Sequence, residues 1–375
     1  MNNWIEISEQ RLADNYRALV AVAGVDVLAV IKANAYGHGA ARCAPMLARA
    51  GAGWLGVTSA REGAAVRQAL VGTDVKILVM SGFLPEDVAL LVEHRLTPVV
   101  WTSDQLGWLG EASLPVHVEI DTGMSRQGVE PGPSLAALLD GIAAQPGLRV
   151  DGVFTHYSSS EVAESPVTLR QQHRFEEAIA QLAARGLQPD WVHAGNTSTV
   201  DNPVGAADWL MALAASVGAR AMVRTGLGLY GYCLEIEPSG EPHVEPSLKP
   251  VMTWKTRVLS ARELAPGESV GYNGIWTANE PVRVALLPVG YADGWRRELS
   301  ATNQKPGGWA MIAGQRAPIL GRISMNLTVV DVTGIAEVKA GDEAVVLGDG
   351  VTAEDHARLA GTISYEILCG VHPCG

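Results

Sequence analysis

The stretch VLAVIKANAYGHG, Val27 to Gly39, determines the fold and the chemistry that this sequence predicts. Its apolar run, Val27 to Ile31, leads into Lys32 and then into a glycine-rich loop that contains Tyr36. Such a run is typical of a buried strand, and folds with parallel strands place their chemistry just past the carboxyl ends of those strands. A lysine at a strand end is more often a surface side chain that reaches solvent. Here the tyrosine hydroxyl and the glycine N–H groups can hold an anion beside the amine, and a partly dehydrated lysine has a lowered pKa and forms imines with aldehydes.

Strand-like runs recur along the next two hundred or so residues, and segments with helical periodicity separate them. The eight predicted strands are Val27–Ala33, Trp54–Thr58, Lys76–Met80, Thr97–Trp101, Val116–Asp121, Val150–His156, Trp191–Gly195 and Ala221–Tyr230. This alternation predicts an α/β fold, a (β/α)8 TIM-type barrel over residues 9–235. A doubly wound open sheet is the alternative that periodicity alone leaves open.

The pattern changes near Glu235. The segment 235–250 contains four prolines and no periodic apolar residues, so it resembles a linker. Short β-type runs follow it at Thr253–Ser260, Val282–Pro288, Ala310–Ile312, Leu327–Asp331 and Glu343–Leu347, with one helix at Ala353–Leu359. We therefore expect a mostly β C-terminal domain over residues 236–375, to which residues 1–8 add a strand.

Composition narrows the function classes. The formal net charge of −12 and the pI near 5.2 argue against binding to nucleic acid or to an anionic membrane surface. The first residues lack the basic and apolar regions of a signal peptide, and no apolar run has the length of a membrane helix. The four cysteines are widely separated, as is typical of a reducing compartment. The sequence thus predicts a cytoplasmic protein with no membrane and no nucleic-acid partner.

Polar residues close five of the eight predicted strands. They are Lys32, the segment Asp121–Arg126, the segment Thr155–Tyr157, the segment His193–Thr197 and the segment Arg224–Gly226. A lone histidine at a strand end is more often a satisfied core residue, and a lone arginine is more often part of a surface ion pair. In a barrel, however, all these strand ends meet on one rim, which favours a binding site.

The segment AVIKANAYGHG resembles the lysine segment of the pyridoxal-phosphate-dependent alanine racemases. In that family the lysine holds pyridoxal 5'-phosphate and the tyrosine four positions on contacts its phosphate, which implies these roles for Lys32 and Tyr36. The segment VRTGLGLYG resembles the stretch whose arginine faces the pyridine nitrogen, which implies this role for Arg224. An arginine stays protonated and cannot give the ring nitrogen a proton. Electron withdrawal by the ring is therefore weaker than with a carboxylate partner, which favours racemisation over transamination.

The remaining cofactor contacts also come from the resemblance. It implies that His193 braces Arg224 and that His156 lies against the cofactor. A phosphate group needs hydroxyls and backbone N–H groups. We expect these from Tyr36, Asn196, Thr197, Gly226, Leu227 and Tyr365.

The segment DTGMSRQG, Asp121 to Gly128, resembles the family stretch whose arginine binds the substrate carboxylate. This implies substrate binding by Arg126. The family commonly has a carbamylated lysine two residues before the Asp-Thr-Gly, whereas this chain has Glu119. We expect Glu119 to support Arg126 by supplying the negative charge directly.

Racemisation needs an acid or base on each face of a planar intermediate. With Lys32 on one face, the segment SVGYNG resembles the family's second base, which reaches the site from the partner subunit and is here Tyr272. The segments PVGYADGWRR and GRISMN resemble the stretches that line the substrate entry and the carboxylate pocket, which implies supporting and substrate-binding roles for Tyr291 and Met325. The resemblance therefore implies a homodimer with shared sites. Many relatives have Met-Asp where this chain has Asn326, so substrate range stays open.

The resemblance implies an alanine racemase, an isomerase that interconverts L-alanine and D-alanine and supplies D-alanine for peptidoglycan. One alternative is a racemase of broader specificity that also accepts serine. Another is a metal-assisted pyridoxal phosphate lyase or aldolase acting on D-hydroxyamino acids, because His372 and Cys374 have the His-x-Cys spacing of that class. We interpret this spacing as a coincidence in the tail and expect no metal.

Overall fold

The structure is a computed structural model that describes residues 3–202, 206–238, 244 and 247–373. Its described residues form two compact units. The barrel unit contains Glu9–Ala35 and the residues from Gly39 to Lys249, and the β unit contains residues 3–8, 36–38 and 250–373. The change between units thus falls after Lys249, whereas the sequence placed a domain boundary after residue 235. No helix in the described ranges has both the length and the apolar character needed to cross a membrane.

The barrel unit is built on a closed barrel of eight parallel strands. These are β2 (Asp26–Val30), β3 (Trp54–Val57), β4 (Lys76–Val79), β5 (Thr97–Val100), β6 (Leu114–Ile120), β7 (Leu148–Thr155), β8 (Trp191–His193) and β9 (Arg220–Thr225), after β1 (Asn3–Ile7) of the other unit. The last strand pairs with the first, with Val27 opposite Val223, so the sheet has no open edge. The predicted (β/α)8 barrel is confirmed, and the doubly wound open sheet is excluded.

Helical segments precede and connect the barrel strands, and the longer ones bury one apolar face. These segments are α1 (Glu9–Ala23), α2 (Lys32–Tyr36), α3 (Ala40–Ala50), α4 (Ala60–Ala69), α5 (Val88–Glu93), α6 (Ser103–Leu109), α7 (Pro133–Ala143), α8 (Pro166–Ala183), α9 (Thr197–Asp201) and α10 (Ala206–Ser216). In α1 the spacing of Leu12, Tyr16 and Leu19 places all three on one face, and all three are buried. Side-chain caps fix several starts, as where Thr102 accepts from the N–H of Gln105 at the start of α6.

The segment after β2 departs from the predicted strand. The strand ends at Val30, and Ala33, Asn34 and Ala35 all have φ and ψ near the left-handed helical values, so α2 is a left-handed turn. Each such non-glycine residue costs roughly 1–2 kcal/mol. The side chain of Asn34 offsets part of this cost by accepting from the N–H of Ala40 at 2.9 Å. Lys32 therefore stands at the start of a tight turn, where the prediction had a strand to Ala33.

The β unit contains an eight-stranded antiparallel sheet with the order β1-β10-β18-β15-β16-β17-β14-β11, and a separate pair of strands, β12 and β13. Its elements after β1 are β10 (Met252–Arg257), β11 (Ser260–Leu264), β12 (Ser269–Val270), β13 (Trp276–Thr277), β14 (Val282–Leu287), β15 (Trp309–Ile312), β16 (Gln315–Leu320), β17 (Thr328–Asp331), β18 (Glu343–Leu347), α11 (Ala353–Ala360) and α12 (Ser364–Cys369). The N-terminal strand β1 pairs with β10 in antiparallel register, so residues 3–7 lie at the edge of this sheet.

Four elements differ from the prediction: two were predicted with wrong bounds and two were missed. The run predicted as Thr253–Ser260 is split into β10 and β11, which have different partners. Strand β16 was missed because Pro318 counts against a strand, and helix α12 was missed because it is short. The last barrel strand was predicted to reach Tyr230 but ends at Thr225, where a glycine-rich 3-10 turn begins.

Candidate active site

The carboxyl ends of the barrel strands bring most of the predicted site residues to one rim. Lys32 follows β2, Glu119 is the second-to-last residue of β6, and His156 follows β7. His193 ends β8 and Arg224 lies one residue before the end of β9. In a parallel barrel these ends face the same side, so the predicted convergence of polar residues is a property of the fold.

Arg224 is a buried cation whose hydrogen-bond partners are all neutral. Its terminal nitrogens donate to Nδ1 of His193 at 3.0 Å, to the carbonyl oxygen of Thr155 at 2.8 Å and, at 3.4 Å, towards Nδ1 of His156. The guanidinium also lies 4.8 Å from the ring centre of Phe154. Within the described residues no carboxylate lies at ion-pair distance from it, and burial lowers the pKa of Arg224 to about 10. Because an unpaired buried charge is costly, this arrangement indicates a functional site.

His156 shows the sign of the charge around this rim. Burial, followed by the positive charges of Arg224, Arg126 and Lys32, lowers the pKa of His156 to about 3. The imidazole is therefore neutral at any ordinary pH. Three cationic side chains lie close enough to disfavour its protonation, so the rim is suited to an anionic ligand.

Glu119 is the acidic counterpart in this site. Its carboxylate is buried and accepts a short hydrogen bond from Nε2 of Gln127, which also donates to the carbonyl oxygen of Met80 at 2.8 Å. Burial raises the pKa of Glu119 to about 7, although the Gln127 hydrogen bond and the charges of Arg224 and Arg126 oppose this shift. Glu119 is thus partly ionised near neutral pH, and Gln127 is a site residue that the sequence reasoning did not select.

The residues predicted to hold a phosphate form one cluster of turns on the barrel. Asn196 caps the start of α9 with its side-chain oxygen, and Thr197 is the first residue of that helix. The hydroxyl oxygen of Thr197 accepts from the N–H groups of Gly226 and Gly228, each at 3.2 Å. Leu227 begins the 3-10 turn between those glycines. The threonine hydroxyl therefore fixes the turn that follows Arg224.

Two further predicted phosphate contacts lie together in the β unit. The ring centres of Tyr36 and Tyr365 are 5.8 Å apart, and Tyr365 lies in α12. Burial, followed by the neighbouring Tyr365 and Cys369, raises the pKa of the Tyr36 hydroxyl well above its ordinary value. Gly37 passes so close to the backbone of Leu368 that a side chain would not fit there. The close approach of Gly37 holds this tyrosine pair in place.

The remaining candidates share one loop cluster of the β unit. The N–H of Tyr291 donates to the carbonyl oxygen of Ser324 at 3.1 Å, and the next residue bonds Met325 in the same way at 2.9 Å. The turn that carries Tyr272 begins at Gly271, which lies against the backbone of Arg322. The exposed fractions are 65% for Tyr272, 56% for Met325 and 41% for Tyr291. Large side chains exposed together are typical of a surface that binds a partner or a ligand.

The sequence reasoning missed two polar residues inside the barrel. His117 and Asp151 are fully buried within β6 and β7; His117 contacts His193 at 2.9 Å, and Asp151 lies 3.5 Å from the other ring nitrogen of His117. The available signal was a histidine and an aspartate in the middle of two largely apolar strands, where ionisable residues are rarely buried without a partner. As for metals, the described residues hold no group of three or more His, Cys, Asp or Glu side chains arranged to bind an ion. Cys374, the second residue of the predicted His-x-Cys pair, lies outside the described residues.

Comparison with known proteins assigns both units of the chain to one family. Residues 7–233 match the family profile described as alanine racemase, N-terminal domain, and residues 251–374 match the alanine racemase C-terminal domain. The alanine racemase of Syntrophobacter fumaroxidans is 36% identical over 382 residues, covering 99% of this chain and 95% of that protein. The chain belongs to the alanine racemase family.

Solved structures of alanine racemases agree with this assignment. The alanine racemase from Streptomyces coelicolor superposes with a TM-score of 0.84 at 31% identity, covering 99% of this chain and 96% of that one. The alanine racemase from Bartonella henselae, solved with covalently bound pyridoxal phosphate, gives a TM-score of 0.82 at 26% identity and covers 100% of this chain and 98% of that one. The alanine racemase family consists of isomerases that depend on pyridoxal phosphate. A strand-end amine, two further cations and a neutral imidazole on one rim suit an anionic aldehyde of this kind.

Proposed function

We propose that this chain interconverts L-alanine and D-alanine with pyridoxal 5'-phosphate attached to Lys32. The observation that supports this most strongly is Arg224, a buried guanidinium held by neutral partners at the rim that also carries Lys32. When bound, pyridoxal phosphate supplies an aldehyde for the lysine and a ring that makes the substrate's Cα–H acidic. Arg224 would hold the ring nitrogen by donating an N–H, because a guanidinium has no acceptor of its own.

The other barrel residues position the two ligands. His156, which is neutral, would pack against the cofactor, and Thr197 would present its hydroxyl with the turn at Gly226 and Leu227 to the phosphate. Arg126 is exposed and would bind the substrate carboxylate, with the Glu119 charge limiting how far its side chain moves. Asn196 would keep the phosphate turn in register through its cap of α9. Tyr36 and Tyr365, whose ring centres lie 5.8 Å apart in the β unit, are the further phosphate ligands that the resemblance implies.

Proton transfer at the substrate Cα requires one group on each face. We propose that Lys32 Nζ holds or releases the proton on one face and that the hydroxyl of Tyr272 from a second copy of the chain does so on the other. Tyr272, Tyr291 and Met325 are exposed on one loop cluster, which a second subunit would cover. The active form would therefore be a homodimer in which each subunit completes the other's site. We also propose that the enzyme works in the cytoplasm and that its D-alanine enters the cell wall.

The attachment site is tested by borohydride reduction of the loaded protein followed by peptide mapping. The pyridoxyl label is expected on Lys32 alone, and Lys32→Ala should remove both the label and the activity. Lys305→Ala, at an exposed lysine, should change neither. A label on any other residue, or full activity in Lys32→Ala, would contradict the proposal.

The shared site is tested with mixed dimers. Lys32→Ala and Tyr272→Phe chains carrying different affinity tags are co-expressed, and the heterodimer is purified by both tags. If Tyr272 acts across the interface, one of the two sites in the heterodimer is intact, so activity should return to about half of the wild-type value. Each parent variant should be nearly inactive. If Tyr272 serves its own chain, both sites in the heterodimer lack one group and no activity returns.

The reaction class is tested with each alanine enantiomer in deuterated water. A mechanism with one group on each face places solvent deuterium in the product enantiomer early, while the recovered substrate stays largely unlabelled. A panel that includes serine and larger amino acids then measures substrate range near Asn326. Chelators should leave the rates unchanged; a rate that falls on chelation and recovers with a divalent metal would favour the lyase or aldolase alternative instead.

A further inference from the structure

A buried chain of polar side chains runs through the middle of the barrel from the Arg224 rim towards the opposite end. Arg224 contacts Nδ1 of His193 at 3.0 Å, and Nε2 of His193 lies 2.9 Å from Nδ1 of His117. Nε2 of His117 lies 3.5 Å from Oδ2 of Asp151. We call these four residues the polar column. Each is almost completely buried, and each lies in a different barrel strand: β9, β8, β6 and β7.

The side chains and one glycine around the polar column are packed closely against its two imidazole rings. Phe154 stacks on the ring of His193 with a centroid distance of 4.6 Å, and Trp54 lies 5.0 Å from the ring of His117. Gly152 lies directly against the imidazole of His117, so that any side chain at this position would overlap the ring. Apolar side chains would fill the same volume without the cost of burying polar groups. The column is therefore a specific feature that needs a functional reason.

The hydrogen-bond chemistry of the two ends fixes the direction of the column. A guanidinium can only donate, so Nδ1 of His193 accepts and its Nε2 carries the hydrogen. That hydrogen is donated to Nδ1 of His117, which leaves the hydrogen of His117 on Nε2, towards Asp151. Burial lowers the pKa of both histidines, so both are neutral. The last link is long for a hydrogen bond, but it still sets an N–H beside a carboxylate, which can only accept.

The opposite end of the column is neutralised at the surface. Asp151 pairs with Nζ of Lys76 at 3.4 Å and with the guanidinium of Arg149. Although burial alone would raise the pKa of Asp151, the neighbouring N–H of His117 and the charges of Lys76 and Arg149 lower it below the ordinary value, so the carboxylate is ionised. The column thus has an anion at one end, a cation at the other and two neutral imidazoles in one tautomer between them.

We propose that His117 and Asp151 are positioning residues for Arg224. His117 accepts the Nε2 hydrogen of His193 and Asp151 faces the N–H of His117, so together they hold the His193 ring, and through it the guanidinium, in the orientation that contacts the cofactor ring. The part that concerns the cofactor rests on the proposed function, whereas the tautomer order is a property of the protein alone. Neither residue touches the substrate. Their effect reaches the reaction only through His193 and Arg224.

The tautomer order is tested on the cofactor-free protein with 15N-labelled histidine by NMR, with His193 and His117 assigned by substitution. Both imidazoles are expected to be neutral with the hydrogen on Nε2. His117→Asn retains a carbonyl that accepts from His193 and should keep the order of His193. His117→Phe removes that acceptor, so the Nε2–H of His193 is left buried without a partner, and the 15N resonances of His193 should shift and broaden as its ring loses a fixed position. A wild-type His193 with its hydrogen on Nδ1, or an unchanged His193 in His117→Phe, would overturn the proposal.

The effect on Arg224 is tested on the loaded protein with cofactor labelled with 15N at its ring nitrogen. His117→Phe and Asp151→Leu should both shift this resonance and lower kcat on the order of tenfold, with a smaller change in KM. The variants that keep an acceptor, His117→Asn and Asp151→Asn, should stay close to wild type. If both members of each pair lose activity equally with no shift of the resonance, the column is only structural.

Two further variants separate misfolding from loss of position. Asp201→Leu removes a different buried carboxylate of the barrel, one that accepts from the N–H of Val244. It should lower stability but leave the histidine tautomers and the ring-nitrogen resonance unchanged. Gly152→Ala removes no polar group but pushes the His117 ring, so it should reproduce the His117→Phe spectrum. If the tautomers are ordered as expected but no label reaches Lys32, the proposed function fails while the column stands.

Discussion

Replacing Glu119 with glutamine is expected to stabilise the protein at alkaline pH while it impairs catalysis. Glu119 is buried, and burial raises its pKa from 4.5 to about 7 in the folded chain. A carboxyl group whose pKa is raised on folding binds a proton more tightly in the folded state. Its ionisation therefore costs stability as pH rises from 4.5 to 7, and the cost is constant above that range. Since each pKa unit corresponds to ~1.4 kcal/mol, the full cost is about 3 kcal/mol.

The measurement compares urea unfolding of the cofactor-free wild type and Glu119→Gln at about pH 5 and about pH 8. Near pH 5 the folded wild type carries a neutral carboxyl, which glutamine imitates, so the two should differ little. Near pH 8 the variant should be more stable, by up to about 3 kcal/mol. Gln127 donates to Glu119 in the wild type and can still donate to the amide oxygen of the variant.

Steady-state kinetics of the same Glu119→Gln variant test whether the destabilising charge has a role in substrate binding. If Glu119 limits the motion of Arg126, the neutral variant should raise KM for alanine more than it lowers kcat. Asp140→Asn, at an exposed carboxylate paired with Arg185, serves as the control and should change neither stability profile nor KM. Equal stability differences at both pH values would refute the assigned pKa shift, and unchanged kinetics would remove Glu119 from the site.

The other expectations concern the barrel histidine, the phosphate turn and the β unit. Because the pKa of His156 is lowered to about 3, the unfolded chain binds a proton below pH 6.5 that the folded chain does not, so the free energy of unfolding falls as the pH is lowered. In urea unfolding, His156→Gln should reduce that pH dependence by ~1.4 kcal/mol per pH unit between about pH 6 and pH 4. Thr197→Val should cost about 2–4 kcal/mol in urea unfolding, since it leaves two buried N–H groups at the Gly226 turn without their acceptor, whereas Thr197→Ser should cost much less. Gly290→Ala would overlap two backbone oxygens and should lower the melting temperature of the β unit sharply, with Gly334→Ala, in open space, as the neutral control.

The barrel was predictable because its strands are short apolar runs that end in polar or glycine-rich sequence, and a repeated alternation has few structural solutions. Val27 to Ile31 shows why the strand ends were less certain. The strand stops at Val30 because the next residues enter a left-handed turn, and a sequence of Ala-Asn-Ala contains no glycine to signal it. Tertiary contacts, such as the bond from the N–H of Asn34 to Glu62 at 3.2 Å, decide that conformation.

The short strands of the β unit were harder to predict than the barrel strands. Strand β16 contains Pro318, which removes a backbone donor and normally argues against a strand. In the sheet Pro318 is paired opposite Trp309, and the neighbouring apolar residues Ile319 and Leu320 are buried. The exposed position of Pro318 explains why the proline is tolerated. Tertiary packing therefore outweighs the low strand propensity of proline at this position, and a single sequence does not show that packing.

The residues of the rim were predictable from motifs, but the forces that set their protonation were not. A sequence shows that Arg224, His156 and Glu119 end their strands; it does not show that Arg224 has neutral acceptors on every side or that Glu119 loses its water. Those facts depend on which side chains from other strands lie within a few ångströms. The shifted pKa values arise from burial, so they belong to the folded barrel and not to any motif.

The polar column connects these observations to the charge balance of the barrel. Arg224 carries a positive charge at the rim and has only neutral hydrogen-bond partners there, whereas Asp151 carries a negative charge towards the opposite end, where it pairs with Lys76 and Arg149. If Arg224 were paired directly with a carboxylate, its positive charge would be neutralised where the cofactor ring is expected. Placing the anion beyond two neutral imidazoles keeps the guanidinium fixed by hydrogen bonds while its charge stays available to the ligand. The same reasoning predicts that moving the anion closer, as in His193→Asp, would weaken cofactor binding even though a new buried ion pair forms.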